Sequence, residues 1–479
     1  MAPSARITYN VVFTAFLLTA FSSSASAQSL VRLNAAVTQA SGEPDLDLKL
    51  EDFQITDQGK PQHIAFFRPS RESAFDASPL AARQLTNRAR GARAHSAVIL
   101  FDLLNQNQTD RLDTWHRLGR SLSQLPSGES LYFYLLTLEG ALVPIHAIGG
   151  KAGDDKTWTQ EAEKELDKAM KAASHARPLQ MNDMEMIVKK TYVAFETLAN
   201  QLAMLPGRRD IVWITNGMPN VWNPKTPCNG DWVECALYVS HLSVTLDRAN
   251  VAVNPLSYSS DPSPDSTRDL EQIAILTGGV TYYREDIRSI LQQVARDATT
   301  SYWIDYEPPK ENWDSKFHKI RVTAEHKNSK LRVRSRYFAY PDSKPEALQQ
   351  AALAAAFQSA SDDPGIGLRA MATPATGGKS VNVEFRVDPA DLLLREESGQ
   401  FTGALTFLIA DMGPNGPVGN PVISRFDVRL SAEQRDKALK EGIPIAQDHP
   451  LAASIQRVRV IVQDQATNGT GSLTLPLGQ

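Results

Sequence analysis

The sequence has no strong excess of charge, no second long apolar run and only two cysteines. A net charge of -4 over 479 residues favours neither nucleic acid nor an anionic membrane as a general partner. Basic residues cluster once, where Arg332, Arg334 and Arg336 alternate in "KLRVRSRYF", a pattern that indicates the solvent-facing side of a strand. No run of about 18 apolar residues follows the N-terminal segment, so the mature chain is predicted to have no transmembrane span.

The first 27 residues are typical of a signal peptide. Arg6 supplies a positive end, "VVFTAFLLTAF" (11–21) is an apolar run too short to span a bilayer, and "ASA" (25–27) places small residues before Gln28. The alternative is an uncleaved N-terminal anchor. We predict export with removal of residues 1–27, which gives a periplasmic or secreted protein.

The two cysteines, Cys228 and Cys235, lie close together in "PCNGDWVEC". In an oxidising compartment this spacing predicts one disulfide that closes a short loop. Two thiols alone cannot form a four-ligand zinc site. The six residues between them also differ from the two residues of common redox motifs, so the disulfide is predicted to be structural.

Strands and helices alternate between residues 95 and 299. "SAVILFD" (96–102) is a continuous apolar strand, and Leu112, Trp115 and Leu118 follow it at helical spacing. "RRDIVWITNG" (208–217) and "NVAVNPL" (250–256) are further apolar strands. This alternation predicts an α/β fold with a central, doubly wound, mostly parallel sheet covered by helices on both faces.

The flanking segments have the alternating pattern of β-structure. We predict a small N-terminal β module at 28–70, a linker at 71–94, a second β module at 300–340, another linker at 341–378, and a C-terminal β-sandwich at 379–479. The chain length agrees with two to four domains. The sequence does not indicate an oligomeric state.

Sequence motifs for catalysis are missing. There is no H-E-x-x-H and no G-x-S-x-G, and "TGGKS" (376–380) departs from a phosphate-binding loop because Thr373 stands where its first glycine belongs. No nucleophile and base can be paired from these residues. The sequence therefore predicts a protein that is not an enzyme.

The order "VILFD", helix, "IVWITNG", "VAVNPL", "LEQIAILTGG" resembles a von Willebrand factor type A domain. Outside it, "LKLEDFQITDQGKPQHIAFF", "SYWIDYEPPKENWDSKFHKIRV" and "VQDQATNGTGSLTLPL" are similar to the VWFA-related Acidobacterial domain family. The resemblance covers most of the mature chain. It implies a protein-binding role through loops at the top of the sheet, in many such domains with the help of a metal ion.

That metal site requires Asp-x-Ser-x-Ser after the first strand, a threonine on a later loop and an aspartate after the fourth strand. Here Asp102 matches the first aspartate, whereas Leu104 and Gln106 replace the serines and Asn216 replaces the second aspartate. The threonine has no clear counterpart, since the loop before the long helix offers only Asn182 or Asp183. The resemblance thus implies a degenerate site.

The remaining candidate metal ligands are Asp102, Asn105 and Asn216, and an arrangement of Asp102, Asn105 and Asp110 is another possibility. A hard cation prefers several charged oxygens, so no cofactor is predicted beyond poorly held Mg²⁺ or Ca²⁺. In the alternative interpretation, Asp102 and Asn105 cap the following turn and helix.

The function predicted from these features is non-enzymatic protein binding or scaffolding outside the cytoplasm. Recognition is expected at loops 103–110, 179–184 and 217–235, with Trp222 and Trp232 as candidate partner-binding residues. Both tryptophans can instead pack against the domain. The rival functions are divalent-cation-dependent adhesion and hydrolysis of a cell-envelope polymer.

Overall fold

The structure is a computed structural model that describes part of the chain. The described residues are 30–70, 73–88, 96–106, 108–122, 131–148, 157–174, 184–203, 205, 208–217, 242–247, 249–259, 264–325, 329–339, 345–359, 362–375, 377–414, 416–452 and 454–477. The predictions that lie outside them concern the signal peptide, loops 179–184 and 217–235 almost entirely, and the residues Cys228, Cys235, Trp222 and Trp232. Across these ranges, no helix is both long and apolar enough to cross a membrane.

Helices and strands occur along the whole described chain. The helices are α1 (Ala74–Ala77), α2 (Gln108–Leu122), α3 (Thr157–Ser174), α4 (Met184–Ala203), α5 (Pro264–Thr277), α6 (Ile287–Thr300), α7 (Pro345–Gln358) and α8 (Ala432–Glu441). The first strands are β1 (Val31–Thr38), β2 (Phe53–Asp57), β3 (Lys60–Gln62), β4 (Ile64–Pro69), β5 (Leu85–Thr86), β6 (Ser96–Asp102), β7 (Leu131–Leu136) and β8 (Leu142–His146). Next come β9 (Arg209–Ile214), β10 (Val251–Ser257), β11 (Tyr282–Tyr283), β12 (Ser301–Tyr306), β13 (Phe317–Ala324), β14 (Lys330–Arg332) and β15 (Arg336–Phe338). The last strands are β16 (Leu368–Pro374), β17 (Ser380–Val387), β18 (Arg395–Glu397), β19 (Gln400–Gly413), β20 (Gly416–Ser431), β21 (Ile443–Pro450), β22 (Arg457–Asp464) and β23 (Thr470–Pro476).

The middle of the chain forms a six-stranded mixed sheet in the order β11-β10-β9-β6-β7-β8. The neighbouring strands from β11 to β7 are parallel, whereas β8 runs antiparallel to β7 at one edge. Every residue of β6 and of β10 is buried. Strands buried on both faces have continuous apolar sequences, which explains "SAVILFD". The predicted α/β character and mostly parallel sheet are confirmed.

Two separate apolar cores lie on the two faces of this sheet. Val98 and Leu100 pack with residues of α4 and α5, while Ile99 and Phe101 pack with residues of α2, α3 and α6. The alternation follows from the two-residue period of a strand. On α2, however, Leu112 is 49% exposed, although it belongs to the apolar residues at helical spacing.

Strands from before and after the α/β unit form one β-sandwich. Its two sheets, β14-β1-β12-β4 and β15-β13-β2-β3, enclose a shared apolar core. In the first sheet Val31 lies opposite Tyr306, and in the second Ile55 lies opposite Val322. The predicted modules at 28–70 and 300–340 thus share a single core. Neither segment alone has enough strands to bury its apolar residues on both sides of a sandwich.

The three arginines of "KLRVRSRYF" do not share one environment. Arg332 is ion-paired with Asp297, and Arg334 is only 6% exposed and ion-paired with Asp247. The predicted solvent-facing position is therefore wrong for Arg334, because this segment packs against the α/β unit. Arg336 is exposed.

The C-terminal part is a second β-sandwich with sheets β21-β17-β16-β5 and β18-β19-β22-β23, where β20 also pairs with β19. Segments predicted as linkers contribute to it. Within 71–94, α1 and β5 are present, and Leu85 of β5 lies opposite Ala370 of β16. Within 341–378, α7 and most of β16 are present. Arg88 forms ion pairs with Asp76 of the same segment at 3.0 Å and with Asp391 of the sandwich at 2.5 Å.

Asp305 on β12 gives the first sandwich a pH-dependent stability. Burial raises the pKa of Asp305 to about 6, although Arg32 and the backbone N–H of Leu33 act in the opposite direction. The ordinary value for aspartate is about 3.9. Between these two values the native state binds more protons than the unfolded state, so this contribution to stability decreases as pH rises.

We expect Asp305→Asn to remove this dependence. From about pH 4 to about pH 7, the wild type should lose about 2 kcal/mol of unfolding free energy relative to the variant. Urea unfolding at both pH values measures the difference, and Asp427→Asn on exposed β20 serves as the control. Parallel pH profiles for wild type and Asp305→Asn would contradict the assignment.

Candidate functional site

The carboxyl ends of β6 and β9 lie side by side in the middle of the central sheet. From β6 the chain continues to β7 on one side, and from β9 to β10 on the other, so the strand order reverses between them. Open α/β sheets bind ligands in the crevice at such a reversal. Asp102 ends β6, and Thr215 and Asn216 follow β9. This position makes them the candidate site.

Asp102 is fully buried, and both of its carboxylate oxygens accept hydrogen bonds. The Oδ1 atom accepts from the backbone N–H of Asn105 at 3.0 Å. The Oδ2 atom accepts from Asn105 Nδ2 at 2.7 Å and from Trp213 Nε1 at 2.9 Å. These donors stabilise the buried carboxylate from inside the protein.

The charge state of Asp102 is set by opposing effects. Burial raises the pKa of its carboxyl group, and hydrogen bonds from Asn105, Trp213 and Thr215 oppose that rise. Arg111 on α2 donates from Nε to the carbonyl oxygen of Leu103 at 3.0 Å. Burial lowers the pKa of Arg111, while the negative charge of Asp102 favours its protonated form. The two charges therefore stabilise each other across the start of the loop.

The loop after β6 is fixed to both neighbouring elements. Asn105 Nδ2 also donates to Thr191 Oγ1 on α4 at 2.9 Å. Gln106 Nε2 donates to the carbonyl oxygen of Ile214 on β9 at 3.1 Å, and Leu104 is buried in the core on the α4 face. These contacts attach Leu104, Asn105 and Gln106 to the groups that lie beneath them.

Asn216 has a different structural role from Asp102. Its Oδ1 atom accepts from Ser257 Oγ at 3.2 Å, from the N–H of Tyr258 at 3.2 Å and from the N–H of Ser259 at 3.1 Å. It therefore holds the end of β10. In its described contacts it makes no hydrogen bond to Asp102.

The three predicted metal ligands do not fit a hard cation in this arrangement. The oxygens of Asp102 and Asn216 already accept N–H groups, and Asn105 directs its amide nitrogen to Asp102. Gln106 Oε1 is a buried oxygen without a described partner, and neutral oxygens without further charged ligands hold Mg²⁺ or Ca²⁺ poorly. In the described ranges, no group of three or more His, Cys, Asp or Glu residues could hold a metal ion.

Sequence reasoning identified Asp102 and Asn105 but missed Trp213, Thr191 and Arg111. A signal existed for Trp213, because an indole N–H in a buried strand requires an acceptor. Thr191 and Arg111 gave no comparable signal. Each is a polar residue on a helix, and only the packing of α4 and α2 directs it toward the loop.

No family model and no curated protein matches this chain. Solved structures that are similar include the human COPII-coat protein Sec24c, with a TM-score of 0.27 and 9% identity over 54% of this chain and 49% of that one. Manganese-loaded TRAP protein of Plasmodium vivax has a TM-score of 0.27 and 11% identity over 54% of this chain and 97% of that one. Proximal thread matrix protein 1 of the mussel byssus has a TM-score of 0.25 and 9% identity over 52% of this chain and 50% of that one. The chain thus spans about half the length of the Sec24c chain. Likeness at this level carries no argument here.

Proposed function

We propose that this chain is an exported, non-enzymatic protein-binding or scaffold protein whose α/β unit is a degenerate von Willebrand A-type domain. The strand order of the central sheet, its antiparallel edge strand β8 and the reversal beside Asp102 support the domain assignment. The flanking β-sandwiches fit a scaffold that presents this domain.

One observation carries the proposal: the buried carboxylate of Asp102 is used to fix the loop above it. Its oxygens accept from Asn105 and Trp213, and Leu104 fills a core position. A catalytic or cation-binding carboxylate needs an oxygen that is available to a ligand. A loop fixed from below loses little conformational freedom on binding, which favours recognition of a partner.

The exposed side chain of Leu112 extends this surface. It lies near the start of α2, directly after loop 103–110, and 49% of its surface is exposed. Burial of an exposed apolar side chain at an interface favours association, because it removes apolar surface from water. We therefore place the contact surface at loop 103–110 and Leu112, together with the predicted Trp222 and Trp232.

The test is capture of partners from envelope extracts by wild type and by Leu112→Asp. Leu112→Asp is expected to reduce recovery of the specific partner at least tenfold, because a charge replaces an apolar contact. Ile423→Asp is the matched control, since Ile423 is 58% exposed but lies on β20 of the C-terminal sandwich.

Capture is repeated with a chelator to separate the proposal from its rivals. Recovery that is unchanged by chelator and reduced only by Leu112→Asp supports metal-independent binding. Loss of recovery with chelator would instead favour cation-dependent adhesion. Equal recovery by both aspartate variants would refute the proposed surface.

A further inference from the structure

A small polar cavity lies at the opposite end of the central sheet from Asp102. The space open to the centre of a water molecule is about 30 Å³. The cavity lies where the first β-sandwich meets the amino ends of β9 and β10. The sandwich contributes Arg32, Asn34 and Arg334, and the α/β unit contributes Arg208, Asp247 and Asn250. A cavity of this size can hold more than one water molecule.

The polar groups around the cavity are mainly hydrogen-bond donors. Three lining side chains have a buried N–H without an acceptor in the described part of the chain, namely Arg334 Nε, Asn34 Nδ2 and Asn250 Nδ2. Arg334 is more than nine-tenths buried, so bulk solvent is not the acceptor for its Nε. Buried donors without an acceptor are costly, and a bound acceptor would remove that cost.

Among the described residues, the side chains that line the cavity carry three positive charges and one negative charge. Arg208 Nε lies 3.1 Å from Asp210, and Arg334 is paired with Asp247. Arg32 forms no ion pair within the described residues, although Asp305 on the neighbouring strand attracts it. Three guanidinium groups thus converge on one space, and Asp247 is the only carboxylate among the described residues that line it.

We propose that this cavity binds a small tetrahedral oxyanion of the phosphate class. The three donors come from three separate segments: β1, the turn before β10 and the connection between β14 and β15. A tetrahedral anion can accept in several directions at once, whereas a planar carboxylate accepts mainly in its own plane. Arginine is the side chain best suited to phosphate recognition.

A bound oxyanion would connect the first sandwich to the α/β unit. The site is distinct from the surface proposed for partner binding, because it lies at the amino ends of the strands and not at their carboxyl ends. Its occupancy should raise the unfolding temperature by mass action without changing partner capture.

Titration calorimetry with inorganic phosphate tests the site. Wild type should show saturable binding of one anion per chain, and Asn34→Asp should weaken it at least tenfold. This variant retains the oxygen that accepts from Arg208 Nη1 at 2.8 Å but replaces the Nδ2 donor with negative charge. Arg32→Gln should weaken binding as well, whereas Arg425→Gln on exposed β20 should not.

Sulfate, acetate and phenyl phosphate complete the experiment. Sulfate should compete with phosphate, and acetate should not. Tight binding of phenyl phosphate would identify the phosphate group of a larger molecule as the ligand, and its failure would identify the free anion. The proposal is overturned if wild type binds no tetrahedral anion, if acetate binds more tightly than phosphate, or if Asn34→Asp and Arg32→Gln bind phosphate like wild type.

Discussion

Asp102→Ala is expected to lower the free energy of unfolding by about 4 kcal/mol, because it removes the only described acceptor of the Trp213 indole N–H. The backbone N–H of Asn105 also loses its side-chain acceptor, and the nearby charge of Arg111 loses its counter-charge. A residue that only capped a turn would cost about 1 kcal/mol. Urea unfolding in buffer with chelator measures the loss.

Asp102→Ala also distinguishes a structural carboxylate from a metal ligand. We expect Mg²⁺, Mn²⁺ and Ca²⁺ to leave the unfolding free energy of wild type and of Asp102→Ala unchanged at micromolar concentrations. Any Mg²⁺ binding should be in the millimolar range, roughly that of a poorly charged site. Micromolar binding that disappears in the variant would show instead that Asp102 is a working metal ligand.

The local part of this site was predictable, and the distant part was not. The sequence indicated that Asp102 ends a buried strand and that Asn105 lies within reach of it. Trp213 is 111 residues away from Asp102, and Thr191 is 86 residues away from Asn105. Only the parallel pairing of β6 with β9 and the packing of α4 bring these side chains together. The sequence pattern along the chain therefore predicts neither contact.

The exposed position of Leu112 shows a second limit of pattern reasoning. The buried stripe of α2 contains Arg111, Thr114 and Leu118, which are spaced as one helical face. Two of these residues are polar, and Arg111 donates to the loop above the sheet. The spacing of the apolar residues alone therefore places the buried face too close to Leu112. Polar groups that serve a site interrupt the apolar stripe.

Pairing between distant segments could not be predicted for a similar reason. The sequence correctly indicated β-structure at both ends of the α/β unit. It could not indicate that the two segments pair, since β1 and β12 are about 270 residues apart at contacts such as Leu33 N–H to Asp305. The segment 71–94 has no sequence period that predicts a strand, since β5 is too short to give one.

Asp57 joins the two sheets of the first sandwich. It is buried, and its Oδ2 atom accepts from Tyr337 at 2.8 Å, from Tyr306 at 3.1 Å and from Asn312 Nδ2 at 3.0 Å. His318 Nδ1 lies 3.2 Å from Oδ1. Burial raises the pKa of Tyr306 and of Tyr337, so both hydroxyl groups keep the proton that they donate.

Asp57→Ala is therefore expected to lower the free energy of unfolding by about 4 kcal/mol, because it leaves several buried donors without an acceptor. Tyr337→Phe should cost only about 1 kcal/mol, since it removes one donor and leaves the carboxylate with its other partners. Urea unfolding measures both losses, and Asp47→Ala, at an exposed position outside the helices and strands, should change stability by less than about 0.5 kcal/mol. If Asp57→Ala cost no more than Tyr337→Phe, Asp57 would not be the residue that connects the two segments of this sandwich.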